Sequence, residues 1–192
     1  MQQMKVYYNF SARGIPKYTP EYIQIDQVIN ALGHTHIFSN KFNADLAEKI
    51  YSAPEDELKD IYAEAIRNIS RCDVLVLEIT LPSISQGFII NKALTDNKPV
   101  IALYLEGSTP AFVIGINDEK LQVLQYSQEN IRDVLKSALH FAQTKTDVRF
   151  NFFISAEMST FLSELARENH KPKSNLLREQ IKKMMDETSQ ES

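Results

Sequence analysis

The sequence has a single cysteine, no long hydrophobic run and no large excess of charge of either sign. One cysteine, Cys72, excludes an intramolecular disulfide and is typical of a reducing compartment. Because Cys72 directly precedes an apolar segment, we expect a buried thiol rather than a nucleophile. No run approaches the ~20 apolar residues of a membrane span, and the first residues lack the cationic and apolar regions of a signal peptide. We therefore expect a soluble, cytoplasmic protein with no membrane partner.

The net charge of −4 at pH 7 gives the whole chain no general nucleic-acid-binding character. A length of 192 residues allows one domain with a proper hydrophobic core, or one domain and a small module. His34 and His36 lack the spacing and the companion carboxylates of a metal site, so both are interpreted as structural. We expect no metal ion and no other cofactor.

The rest of the chain is organised around residues 72–87, CDVLVLEITLPSISQG. Residues 74–79 form a nearly continuous apolar run, and such a strand usually lies in the centre of a parallel sheet with helices on both faces. In open α/β sheets, ligands bind beyond the carboxyl ends of the strands. The turn that follows this strand, residues 80–87, is therefore the expected binding site.

Strand-like and helical patterns alternate along the first 143 residues. The predicted strands are residues 5–10, 35–40, 74–79, 100–105 and 121–126. The predicted helices are residues 20–32, a segment with Ser52 as N-cap that ends near residue 69, 87–96 and 129–142, and residues 42–51 are a loop or short helix. This alternation predicts an α/β doubly wound sheet in a domain of residues 1–143.

Ser11, Arg13 and Gly14 lie on the turn after the first predicted strand. A glycine lets the backbone come close to a ligand, the next helix offers free N–H groups, and arginine can grip a phosphate with two donors. The turn is thus a candidate anion site. An ordinary turn with a solvated arginine fits the same spacing.

Three blocks in the sequence resemble the nucleoside 2-deoxyribosyltransferase superfamily, most closely its 2′-deoxynucleoside 5′-phosphate N-hydrolase branch. They are KVYYNFSARG (residues 5–14), CDVLVLEITLPSISQGF (72–88) and NKAL with NKPVIALY (91–104). The resemblance covers about the first 143 residues. It implies a five-stranded parallel sheet in flavodoxin-like order with flanking helices, and a homodimer or higher even oligomer.

The resemblance also implies that a nucleotide or nucleoside-like small molecule is the binding partner. Ser11, Arg13 and Gly14 match the family's phosphate loop, and Ser83 matches a residue near the nucleotide. The candidate ligand-binding residues are Ser11, Arg13, Gly14, Ser83, Ser85 and Gly87.

Two acidic positions of the family are apolar in this chain. The glutamate nucleophile that cleaves the N-glycosidic bond corresponds to Ile89, and a supporting aspartate corresponds to Ala65. Neither side chain can attack or stabilise an oxocarbenium-like sugar carbon. We interpret the domain as a catalytically degenerate nucleotide-binding pseudoenzyme. Glu64 is a candidate substitute, although one helical position is a rotation of ~100° that should aim it away from the pocket.

A second module, residues 148–187, follows a polar linker at residues 144–147. A strand-like segment (149–154) and two helical patterns (156–169 and 174–185) resemble the ribbon-helix-helix fold of the Arc and MetJ repressor class. There, two copies pair their strands into a ribbon that enters the DNA major groove. The resemblance implies base-reading strand residues and a phosphate contact at the start of the second helix. These candidates are Arg149, Asn151, Phe153, Lys173, Ser174 and Asn175.

The charge of this module leaves two interpretations open. Residues 167–183 hold six basic and two acidic side chains, yet residues 148–192 hold seven of each, fewer than a strong DNA binder would carry. Phe153 also departs from the polar residue usual at its position. The module is thus a binder of double-stranded DNA or only a dimerisation clip.

Three functions follow from these patterns. The main hypothesis is a DNA-binding transcription regulator that joins a degenerate nucleotide-binding domain to a ribbon-helix-helix module. The first alternative is an active nucleoside or nucleotide N-glycosidase, or a deoxyribosyltransferase, that uses a displaced carboxylate such as Glu64. The second alternative is a dimeric structural or partner-binding protein.

Overall fold

The structure is a computed structural model that describes residues 2–37, 45–144, 153–169 and 171–190. The chain divides into two compact units, Met1–Arg149 and Phe150–Ser192. Most of the predicted linker lies outside the described residues. Within the described ranges, no helix combines the length and the apolar character that crossing a bilayer requires.

The first unit is built on a sheet of five strands in the order β2-β1-β3-β4-β5. Every pair of neighbouring strands is parallel, which confirms the predicted sheet and its flavodoxin-like order. The strands are β1 Lys5–Phe10, β2 Thr35–His36, β3 Val74–Glu78, β4 Val100–Leu105 and β5 Leu121–Tyr126. β2 ends at His36, one residue before the described Ile37, and residues 38–40 of the predicted strand lie outside the described residues.

Helices cover both faces of this sheet and alternate with its strands. They are α1 Ile15–Ala31, α2 Leu46–Ser52, α3 Glu55–Arg71, α4 Ile84–Thr95, α5 Ala111–Ile114 and α6 Ile131–Thr144, and a short 3-10 turn at Ala12–Gly14 precedes α1. One face of the central strands packs with α1 and α6, and the other packs with α3 and α4. All five residues of β3 are buried, as expected of a central strand.

Three helix starts differ from the predictions, each for a local reason. Helix α1 begins before Pro20 and continues through it, with non-helical dihedral angles at Tyr18, because proline cannot donate the helical hydrogen bond. Helix α4 begins at Ile84, since Ser83 has the extended backbone of an N-cap. Ser52 ends α2 instead of capping the next helix, and its hydroxyl donates to the Glu48 carbonyl oxygen at 2.7 Å.

The single thiol is buried, as predicted. Cys72 has no exposed surface, and its Sγ lies 3.2 Å from the Ile69 carbonyl oxygen. Burial raises the pKa of the Cys72 thiol to about 12, so the reactive thiolate is scarce at neutral pH.

The second unit contains two helices that contact each other, α7 Ala156–Glu168 and α8 Lys173–Gln190. The Ser155 hydroxyl caps α7 by accepting the Met158 N–H at 3.2 Å. Most of the predicted strand 149–154 lies outside the described residues, and its described end has no regular structure. Large apolar side chains of this unit are exposed: Phe153, Met158, Phe161, Ile181, Met184 and Met185.

Candidate functional site

Two turns meet at the carboxyl edge of the sheet, because β1 and β3 are neighbours and both end there. Phe10 pairs with Glu78 at the ends of these strands. The 11–14 loop follows β1, and the 80–83 turn follows β3. The Arg13 guanidinium donates from Nη2 to the Pro82 carbonyl oxygen at 3.0 Å and so bridges the loop and the turn.

The 11–14 loop is held by close packing on α1. The Gly14 N–H donates to the Ser11 carbonyl oxygen at 2.8 Å. A Cβ added to Gly14 would lie 2.0 Å from the hydroxyl oxygen of Tyr22, a completely buried side chain. The same hydroxyl lies 3.5 Å from the Ser11 carbonyl oxygen. Glycine is therefore required at position 14 by lack of space, and its backbone conformation is an ordinary helical one.

The 80–83 turn presents the N-terminus of α4 to the same edge. Ser83 is half-buried at the N-cap, and its side chain makes no capping hydrogen bond. Ser85 and Gly87 lie exposed in the first turn of α4. The first N–H groups of a helix lack intrahelical partners and favour anions. The structure thus places all six predicted ligand-binding residues on these two adjoining segments.

Several polar side chains lie on the side of the sheet that α3 covers. Asn9 Nδ2 lies 3.3 Å from the hydroxyl oxygen of Tyr7. Burial raises the pKa of Tyr7, Asn9 and Asn68 lower it, and the Glu64 carboxylate raises it further. Glu64 is exposed, yet it lies one helical turn before the buried Asn68 on the same side of α3. Glu64 is thus on the side of the sheet that carries the Tyr7 hydroxyl, and the expectation that it points away from the pocket stays a prediction.

The two apolar residues that the resemblance aligns with family carboxylates, Ile89 and Ala65, are part of the packed fold. Ile89 is 8% exposed and belongs to the apolar cluster that also contains Leu77, Ile79 and Ile90. Ala65 is half-buried on α3. Among the described residues, no three His, Cys, Asp or Glu side chains come together in a group that could hold a metal ion.

Glu78 is an ionisable residue of this region that is not among the predicted site residues. It is completely buried at the end of β3 and accepts hydrogen bonds from Thr80 and Tyr126. An ionisable residue inside an otherwise apolar strand was the signal that could have identified it, since such residues are rarely buried without partners.

The predicted DNA contacts in the second unit are described only in part. Lys173, Ser174 and Asn175 form the exposed first turn of α8. The side chain of Phe153 is fully exposed. Arg149 and Asn151 lie outside the described residues.

No protein-family model matches the sequence. A putative 2′-deoxynucleoside 5′-phosphate N-hydrolase 1 from Syntrophotalea carbinolica is 30% identical over 141 residues, which cover 71% of this chain and 94% of that protein. The chain belongs to the 2′-deoxynucleoside 5′-phosphate N-hydrolase family. A 5-hydroxymethyl-dUMP N-hydrolase from Esox lucius is 27% identical over 137 residues, which cover 69% of this chain and 94% of that relative.

A solved structure, the CMP N-glycosidase BcmB of Clostridium botulinum, aligns with 69% of this chain and 99% of its own, at 14% identity and a TM-score of 0.44. Family membership confirms the resemblance to the nucleoside 2-deoxyribosyltransferase superfamily that the three sequence blocks indicated. The resemblance of residues 148–187 to ribbon-helix-helix proteins stays a prediction.

Proposed function

We propose that the first unit binds a nucleoside 5′-monophosphate at the carboxyl edge of β1 and β3 and hydrolyses its N-glycosidic bond. The observation that carries this proposal is the Arg13 bridge between the 11–14 loop and the turn that begins α4. Membership of a family whose relatives are named as N-hydrolases of deoxynucleotides supports the ligand class.

The phosphate group fits the donors that these two segments offer. A guanidinium has five N–H donors, so Arg13 can keep its bond to Pro82 and still donate to a phosphate. The uncapped N–H groups of α4 and the hydroxyls of Ser11, Ser83 and Ser85 supply further donors. Gly87 lies exposed in the first turn of α4 and leaves the backbone accessible beside them.

Glu64 is the carboxylate that we assign to hydrolysis. Because Glu64 is exposed, a water molecule can reach its carboxylate. The carboxylate takes a proton from this water, and a bond forms from the water oxygen to C1′ as the bond from C1′ to the base nitrogen breaks. The departing base takes up a proton from solvent. Glu64 thus acts as a general base and not as a covalent nucleophile.

Binding without hydrolysis is the second candidate, and the burial of Ile89 favours it. The family's nucleophile position is packed into the apolar core, where it offers no lone pair to the sugar. In this case the first unit is a nucleotide sensor, and the second unit carries the response.

The test is release of free base from a panel of 2′-deoxynucleoside and ribonucleoside 5′-monophosphates by the purified full chain. Hydrolysis by Glu64 predicts that Glu64→Gln lowers turnover about 100-fold or more. Glu57→Gln, an exposed carboxylate on the same helix, is the matched control and should leave turnover unchanged.

The outcomes distinguish hydrolysis, binding without hydrolysis, and neither function. Turnover that persists in Glu64→Gln contradicts the role of Glu64. Nucleotide binding measured by calorimetry with no release of base favours the sensor. A full chain that neither binds nor cleaves any of these nucleotides contradicts both candidates and leaves a structural or partner-binding role.

For the second unit, we propose that two copies pair and bind double-stranded DNA. The exposed apolar side chains of α7 and α8 and the Lys173–Ser174–Asn175 start of α8 support this. An electrophoretic mobility shift at increasing salt is the test, and Lys173→Ala should reduce the slope of log affinity against log salt by about one.

The single buried cysteine supports a reducing, cytoplasmic location.

A further inference from the structure

A buried carboxyl group lies beneath the two turns of the site and has no part in the proposed hydrolysis. Glu78 has no exposed surface. Its Oε1 accepts the Thr80 hydroxyl, the Thr80 N–H at 3.3 Å and the Tyr126 hydroxyl at 3.2 Å. Its Oε2 is buried with no hydrogen-bond partner in the described part of the chain. One oxygen thus serves three donors, and the other serves none.

On one side, Glu78 holds the 80–83 turn. The Thr80 hydroxyl that donates to Glu78 also accepts the Leu105 N–H at 2.9 Å, which ties the turn to the end of β4. The Gln86 side chain, 3% exposed, donates to the Glu78 carbonyl oxygen at 2.5 Å and ties the first turn of α4 to β3. The Gln86 contact uses the backbone carbonyl, so the carboxyl group of Glu78 acts on the turn before α4 through Thr80.

On the other side, Glu78 faces the residue that supports the 11–14 loop. Burial, and then the Glu78 carboxyl, raise the pKa of the Tyr22 hydroxyl, so the two groups are neighbours. The Tyr22 hydroxyl lies under Gly14 and near the Ser11 carbonyl oxygen. The residues that support the loop and the turn are thus both neighbours of the Glu78 carboxyl group.

We infer that Glu78 is a positioning residue that holds the 11–14 loop and the 80–83 turn in the relative placement that the nucleotide's phosphate requires. This inference rests on the proposed nucleotide site. Glu78 touches neither the phosphate nor the sugar in this role, and it acts through Thr80 and Tyr22.

Because Glu78 can ionise, its positioning role predicts a dependence of phosphate binding on pH, which a purely packing role would not. Burial raises the pKa of the Glu78 carboxyl to about 7, against the lowering effect of Thr80 and Tyr126, and Glu21 on α1 raises it further. The groups that face it from the neighbouring elements are Tyr8, Glu21, Tyr22, Thr80 and Tyr126. Ionisation places a negative charge beneath an anion site, so phosphate binding should weaken as pH rises through about 7.

The first experiment measures the affinity of the full chain for a nucleoside 5′-monophosphate by calorimetry between pH 5.5 and pH 8.5. Glu78→Gln keeps the shape and the Oε1 acceptor, because Oε2 has no hydrogen bond to lose. This variant should bind at pH 8.5 at least threefold more tightly than the wild type, and its affinity should follow only the ionisation of the phosphate itself, near pH 6. Glu129→Gln, on the surface, is the control and should behave as the wild type.

A second pair of variants tests the connection through Thr80. Thr80→Val removes the hydroxyl at nearly constant shape and should weaken nucleotide binding about tenfold, whereas Thr80→Ser keeps the hydroxyl and should restore it. Thermal melting of each variant shows whether it is folded. Equal loss in both variants would contradict a role for the hydroxyl.

A measurement without ligand separates this inference from the proposed function. In NMR spectra of the full chain, the backbone amides of Gly14 and Ser83 should titrate with one shared midpoint near pH 7, and the titration should vanish in Glu78→Gln. If the wild type binds no nucleotide but both amides titrate together, the proposed function fails and the positioning by Glu78 stands. If nucleotide binds and its pH dependence is unchanged in Glu78→Gln, the positioning role is overturned.

Discussion

Arg13 and Pro82 are 69 residues apart in sequence, yet the Arg13 Nη2 lies 3.0 Å from the Pro82 carbonyl oxygen. This contact joins the loop after β1 to the turn after β3, and it orients the guanidinium along the edge where we place the phosphate. An arginine that already has one partner loses less side-chain freedom when a ligand arrives.

Arg13→Lys is expected to weaken nucleotide binding about 10-fold to 100-fold, because an ammonium group cannot hold Pro82 and a phosphate in the same fork geometry. The affinity for the matching nucleoside without phosphate should change less than twofold. Calorimetric titration of both ligands checks this. An equal loss for nucleotide and nucleoside would show that Arg13 does not recognise phosphate.

Gly14→Ala is expected to destabilise the first unit by about 1–3 kcal/mol, because the new Cβ would lie 2.0 Å from the Tyr22 hydroxyl oxygen. Removing that oxygen with Tyr22→Phe should recover part of the loss, so the double variant should be more stable than the sum of the single changes predicts. Urea denaturation measures the free energy of unfolding.

Gly87→Ala is the matched control for this pair. A Cβ at Gly87 meets no atom within 4 Å, and the residue lies inside α4. The substitution should therefore stabilise the protein by about 0.5–1 kcal/mol. A loss of stability at Gly87 as large as that at Gly14 would contradict the steric account.

The pH dependence of stability should carry a contribution from Glu78. Its pKa rises from 4.5 to about 7 on folding, so the folded state binds more protons than the unfolded state between these values. The contribution is fully present below pH 4.5 and is lost as pH rises through about 7. The size is on the order of 3 kcal/mol.

Urea denaturation of the wild type and of Glu78→Gln at pH 5, 6, 7 and 8 measures this term. The difference in the free energy of unfolding between the two proteins should shift in favour of the glutamine variant as pH rises. A difference that stays constant across this range would show that Glu78 ionises with an ordinary pKa.

Self-association is expected to depend on the exposed apolar side chains of the second unit. Phe161 is 62% exposed and Ile181 is 55% exposed. In an isolated chain, aspartate at either exposed position would cost little. If a dimer buries both side chains, the double variant Phe161→Asp, Ile181→Asp should sediment as a smaller species than the wild type in sedimentation velocity. The control Glu164→Ala, on α7, should sediment as the wild type does.

The sheet could be predicted because its signals are local. The apolar run of β3 and the alternation of strands with helices are visible within short windows, and the three family blocks fix the same order of strands. The role of Glu78 could not be predicted in this way, since its partner Tyr126 is 48 residues away and Tyr22 is on helix α1. Such long-range contacts leave no periodic pattern in the sequence.

In the candidate site, too, the local motifs could be predicted and the long-range contacts could not. Motif and resemblance predict Ser11, Arg13 and Ser83 as ligand-binding residues, and the structure places them on two adjoining segments. The pattern of residues 80–87 predicts a turn up to Gly87, whereas α4 already begins after Ser83. The direction of the Glu64 side chain stays a prediction from helical rotation, and its carboxylate raises the pKa of Tyr7 on β1.

The packing of Ile89 limits how a carboxylate could be introduced at the position that the resemblance assigns to the family's nucleophile. Ile89→Glu would insert a carboxylate among Leu77, Ile79 and Ile90, where it would have to stay protonated or push the start of α4 outward. A neutral acid is a poor nucleophile, and a displaced helix would disturb the phosphate contacts. Ile89→Glu alone would therefore reduce folding stability or phosphate binding. A reactive carboxylate at this position would first require substitutions in the surrounding apolar residues.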